Sequence, residues 1–93
     1  MRIITKSGTD IPYEAVSLVA RQIYGIDTEV KECVLGACFM YRPNPAETRK
    51  PIFVAKYDTL EEVRETILQI AILAAKGTKL IRMTESGEIE VVV

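Results

Sequence analysis

Along the chain, apolar residues recur in two different rhythms. Over residues 59–76 the sequence TLEEVRETILQIAILAAK sets Leu60, Val63, Ile67, Ile70, Ala71 and Ala74 three or four positions apart, which makes one stripe on a helix. Thr59 followed by Glu62 has the spacing of a capping box, in which the hydroxyl accepts the N–H three residues on and the acid reaches back. Glu61, Glu62 and Glu65 sit near the positive end of the helix dipole and Lys76 near the negative end. Gly77 stands where a left-handed stop is needed. A helix is therefore expected over 59–76.

Elsewhere the rhythm is that of strands. Residues 2–5 (RIIT) and 10–14 (DIPYE) flank the polar glycine turn KSGT, so the chain opens as a hairpin. Pro12 lacks an N–H and pushes Ile11 towards extended backbone, which makes the second arm an edge strand or a short crossing segment. Residues 31–43 form a dense apolar run ended by proline, with Gly36 in mid-run as the mark of a bulge or a close backbone approach. PIFVAKY (51–57) is its return strand, and residues 78–93 make two strands around ESG. The stretch 15–24 fits both templates. Val16, Val19, Ala20 and Ile23 have helical spacing, while the β-branched content and the preceding hairpin favour a strand.

These elements predict an α+β fold: one domain over 1–93 with an antiparallel sheet of about five or six strands. The helix over 59–76 packs across one face of that sheet. Within the helix, Leu68, Ile72, Leu73 and Ala75 fall outside the apolar stripe, so its second half is apolar nearly all round. A 93-residue chain has few layers with which to cover two faces of a helix. A second copy, or a host protein, is the expected cover, with Leu68, Ile72, Leu73, Val91 and Val92 as the candidate interface.

Charge adds one further candidate. The formal net charge is −1, from 12 basic and 13 acidic residues, which disfavours broad capture of nucleic acid or anionic membrane. The segment between the two central strands nevertheless gathers Arg42, Arg49 and Lys50 beside Tyr41 and is stiffened by prolines. These cations are the alternative site, for a nucleotide-like ligand, nucleic acid or another anionic partner.

Other chemistry is sparse. The sequence holds no histidine, no Cys-x-x-Cys pair, no Walker loop and no dinucleotide fingerprint. Cys33 and Cys38 are five apart on one strand and so point to opposite faces, away from a shared metal or bridge. The glutamates of the helix are explained by capping and dipole, those at 88 and 90 by an exposed strand face. The expectation is a protein that is not an enzyme and has neither cofactor nor metal. No stretch reads as a secretory signal or a membrane span, which gives a cytoplasmic expectation.

The opening residues 1–14, with the Arg-Ile-Ile strand, the glycine turn and Ile-Pro-Tyr-Glu, and the later AKYDTLEEV, resemble small uncharacterised proteins. Those proteins belong to phages, prophages and mobile elements of Firmicutes. The resemblance covers residues 1–14 and 52–70 well and residues 15–51 only in the order of elements. It departs in the turn, where TKSGTD replaces Ser-Gln-Asp-Gly. It implies an extended segment after Glu14, hence a strand over 15–24. It also implies an accessory protein of a phage or mobile element, working in a bacterial host by protein binding or self-association, with inhibition of a host factor as one concrete form.

Overall fold

In the computed structural model, residues 1–27, 29–40 and 51–93 are described. The fold is α+β. Strands β1 (Arg2–Ile4) and β2 (Asp10–Pro12) lead through a 3-10 turn at Tyr13–Ala15 into the long strands β3 (Val16–Tyr24) and β4 (Val30–Phe39). Strand β5 (Ile52–Tyr57), helix α1 (Leu60–Ala75), β6 (Leu80–Met83) and β7 (Ile89–Val91) follow. Of the segment 15–24, which periodicity left open, Ala15 closes the 3-10 turn and Val16–Tyr24 is a strand.

The strands divide between two sheets. The first, of four short strands, has the order β2-β1-β6-β7, and its middle pair, β1 and β6, is parallel. The second is the antiparallel meander β3-β4-β5. A parallel pair needs a crossover, and the four strands and helix between β1 and β6 supply it.

One core serves both sheets. Ile3, Ile11, Ile81 and Met83 of the four-stranded sheet cluster with Leu35, Ala37, Val54 and Ala55 of the three-stranded one and with Val63 and Ile70 of the helix. The helix itself lies across β3, β4 and β5. Its local signals act as expected: Thr59 Oγ1 accepts from the Glu62 N–H at 3.2 Å. The Glu62 carboxylate accepts from the Thr59 hydroxyl instead of reaching the Thr59 N–H. At the other end Gly77 takes φ +86°, and Thr78 N–H donates to the Leu73 carbonyl at 3.1 Å, closing a Schellman motif.

The two hairpins of the four-stranded sheet share one turn chemistry. In TKSG, the Thr5 hydroxyl meets Ser7 Oγ at 2.9 Å and accepts from the Thr9 N–H at 3.1 Å. In TESG, the Thr84 hydroxyl meets Ser86 Oγ at 3.1 Å and accepts from the Glu88 N–H at 3.0 Å. Gly8 and Gly87 supply the positive φ in each, at 87° and 86°. The turns lie side by side, with Lys6 Nζ 4.0 Å from Glu85 Oε2.

The second turn also seals one edge of the meander. Lys56 N–H donates to the Glu85 carbonyl at 2.9 Å, and the Tyr57 ring lies over Gly87, where a Cβ would stand 2.1 Å from the ring. Gly87 is thus glycine for two reasons, its backbone angle and the aromatic ring above it.

Candidate docking surface

The candidate interface residues of α1 separate when placed in the fold. Leu68 is 60% exposed and Ile72 46%, whereas Leu73 is half-buried and packs against the core. Leu68 and Ile72 stand one turn apart and form an open apolar pair on the helix.

The two flanks of the helix have opposite character. On the side of β5, Glu62 borders a cleft with Glu32, Lys56, Tyr57, Asp58, Glu85 and Ser86. Continuing round the helix at about 100° per residue from Glu62 come Gln69, Lys76 and Glu65. On the side of β3, Ile67 lines a hollow with Val16, Leu18, Met40 and Tyr13. Going round the other way from Ile67 come Ala71, the exposed Arg64, Ala75, Leu68, the exposed Glu61 and Ile72. Leu68 and Ile72 thus stand on the outer crest of the helix, each about 160° from the buried Ile70. The apolar surplus of Leu68 and Ile72 therefore lies on that crest, while the flank toward β3 mixes Ala71 and Ala75 with Arg64.

Val91 and Val92 make a separate group. Strand β7 is the outer strand of the four-stranded sheet, and Val91 lies opposite Ile81. Val92 N–H donates to the Leu80 carbonyl at 3.0 Å, so the backbone here is held by its own sheet while the side chains stay exposed. Arg42, Arg49 and Lys50, the alternative anionic-partner site, lie outside the described residues, as does Tyr41.

The outer face of the meander is a surface that sequence reading passed over. Register places Val19, Gly36 and Phe53 in one row and Arg21, Val34 and Lys56 in the next, all on the side away from the helix. Phe53 is 50% exposed and Ile23 48%. A Cβ on Gly36 would come within 3.3 Å of Pro51 Cβ and 3.4 Å of Val19 Cγ2, so the bare backbone lets these side chains close over the strand. The bulge expected at Gly36 is present, as a register shift between Leu35 and Gly36 against β5. The signal was alternation: once 15–24 is a strand, its odd positions include Val19 and Ile23, which the pleat turns outward.

The cleft at the β5 edge is polar and built around Tyr57. Lys56 Nζ pairs with Glu32 Oε1 at 3.1 Å, and the Tyr57 hydroxyl donates to the Gly87 carbonyl at 3.4 Å. Burial lifts the Tyr57 phenol above its ordinary value, a hydrogen bond with Thr66 opposes this, and the charge of Glu62 adds to it. Tyr57 is a neutral structural contact between the two sheets. Among the described residues, no three His, Cys, Asp or Glu side chains gather closely enough to hold a metal ion. Cys33 is buried in the core opposite Gln22, and Cys38, opposite Ser17, belongs to the outer face.

Among the described residues no helix is long and apolar enough to cross a membrane. Compared with known proteins, the chain matches no family model, no curated protein and no solved structure.

Proposed function

We propose that this chain works by binding protein, first of all another copy of itself, and that it performs no catalysis of its own. The observation that carries this reading is the open pair Leu68 and Ile72, 60% and 46% exposed one turn apart on the outer crest of the helix. Fully burying a side chain of this size contributes about 1.5–3 kcal/mol, and two copies of the pair offer four such side chains. The role that fits is an accessory protein of a phage or mobile element acting in the bacterial cytoplasm. That lineage rests on the resemblance of residues 1–14 and 52–70.

Replacing Leu68 and Ile72 together by glutamate tests the reading. Both are exposed, so the variant keeps its fold by circular dichroism. Size-exclusion chromatography with light scattering should show the assembly lost. An assembly that survives both glutamates removes the helix crest from the proposal.

A further inference from the structure

Sheet edges in proteins are normally shortened, charged, interrupted by proline or covered, because a bare edge pairs with any extended chain. Three of the four edges here follow that rule. Strand β2 has three residues and ends in Pro12, and β7 has three residues and carries Glu90. The β5 edge is engaged by the Glu85 carbonyl through Lys56 N–H. Strand β3 differs: it runs for nine residues with Arg21 as its one charged side chain.

Which main-chain groups β3 leaves open follows from its pairing. Met40 N–H donates to the Ala15 carbonyl at 3.1 Å, and Val16 lies opposite Phe39. The odd-numbered residues of β3 therefore direct N–H and C=O toward β4, and the even-numbered ones direct theirs away. Val16 N–H is taken by the Tyr13 carbonyl. For Leu18, Ala20 and Gln22, no main-chain partner lies beyond the sheet among the described residues. Leu18 and Ala20 face the helix side and are still only half-buried, as expected where the sheet stops short.

We propose that β3 pairs antiparallel with β3 of a second copy about a two-fold axis beside Val19, merging two three-stranded sheets into one of six. The inference rests on the self-association proposed above and names its interface. Leu18 of each copy then exchanges both main-chain hydrogen bonds with Ala20 of the partner subunit. A second copy is the occupant the surface fits, because an antiparallel edge with alternating donors and acceptors is complementary to itself. Arg21 falls opposite Ser17 of the partner subunit and not opposite its own copy, so no like charges meet. The same rotation brings the hollows lined by Val16, Leu18 and Ile67 of the two copies toward each other beside the seam.

Amide hydrogen exchange followed residue by residue by NMR, at a low and a high protein concentration, tests the edge. The N–H groups of Leu18, Ala20 and Gln22 should gain protection as concentration rises, while those of Val19 and Arg21 stay protected throughout. Two substitutions at exposed Ser17 test the register. Ser17→Glu sets opposite charges across the seam twice and should tighten the dimer about two- to thirtyfold; Ser17→Arg should loosen it by a similar factor. A dimer in which Leu18, Ala20 and Gln22 exchange independently of concentration overturns the β3 pairing and leaves self-association standing. Protection at these amides with no response to either substitution overturns the axis at Val19. A monomer at every concentration overturns both the pairing and the proposed function.

Discussion

The two edges of the three-stranded sheet were built by opposite means. At β5 the main chain is engaged, because Lys56 N–H meets the Glu85 carbonyl, and the Tyr57 ring covers Gly87. The helix flank above that edge is polar, with Glu62 over the cleft. At β3 the strand is three residues longer than β5, the outward amides of Leu18, Ala20 and Gln22 have no main-chain partner among the described residues, and Ile67 of the helix borders a hollow with Val16, Leu18 and Met40. An edge that must stay single is closed by polar and aromatic groups, whereas an edge meant for a partner keeps its backbone free and its surroundings apolar.

The largest expected effect breaks the closed edge. Gly87→Ala adds the cost of a left-handed backbone, about 1–2 kcal/mol, to that of driving a methyl into the Tyr57 ring, about 1–3 kcal/mol, for a total of about 2–5 kcal/mol. Gly8 occupies the matching place in the other turn with the same φ but with nothing within 4 Å of its would-be Cβ. Gly8→Ala should therefore cost only about 1–2 kcal/mol, and urea unfolding of the two variants measures the difference. Equal losses would mean that the Tyr57 contact contributes nothing.

Next in size is a comparison of the two edges through their own amides. Lys56→Pro removes the N–H that the Glu85 carbonyl uses and should cost about 1–3 kcal/mol, because that acceptor loses its donor. Ala20→Pro removes an outward N–H on a bare edge, where proline is tolerated, and should change monomer stability by less than about 1 kcal/mol while abolishing self-association. Unfolding at submicromolar concentration reads the first quantity and light scattering the second.

The smallest effect is in acid. The hydrogen bond from Arg2 holds the Asp10 carboxyl below its usual range, and that from the Met1 amino group does the same for Glu14. A carboxyl depressed on folding contributes stability that is present above its unfolded pKa and is lost as pH falls through its folded one. Asp10→Asn should accordingly be less stable than the parent chain at neutral pH, with the gap closing below about pH 4. Both groups are fully exposed, so the gap is modest and shrinks further in salt.

Local physics made much of the fold legible. The helix is written into neighbouring residues, by the Thr59–Glu62 spacing, the apolar stripe and Gly77, and it stands where that pattern put it. The two hairpins are marked by their glycines. The turn they share, TKSG and TESG, was in plain view as a repeat and was passed over, since each half was read alone. Segment 15–24 needed more than periodicity, because Val16, Val19, Ala20 and Ile23 satisfy a helix as well as a strand; only pairing with β4 decides between them. The division into two sheets was not legible, because the β1–β6 pairing joins residues 78 positions apart, such as Arg2 and Leu80, and no local pattern encodes it.

The candidate site was legible in kind and not in place. Leu68 and Ile72 could be named as surplus apolar residues from the helix alone, while Leu73 could not be set apart from them until the core claimed it. Which flank of the helix meets β3 and which meets β5 is revealed by Ile67 and Glu62 only in three dimensions. The open amides of Leu18, Ala20 and Gln22 follow from register, which the side-chain pattern does not carry.

Sedimentation equilibrium of the unmodified chain over the low-micromolar to high-micromolar range bears most directly on the claim that this protein lives against a copy of itself. The prediction is a mass that rises with concentration toward twice the 10.4 kDa of one chain. A constant 10.4 kDa across that range contradicts it.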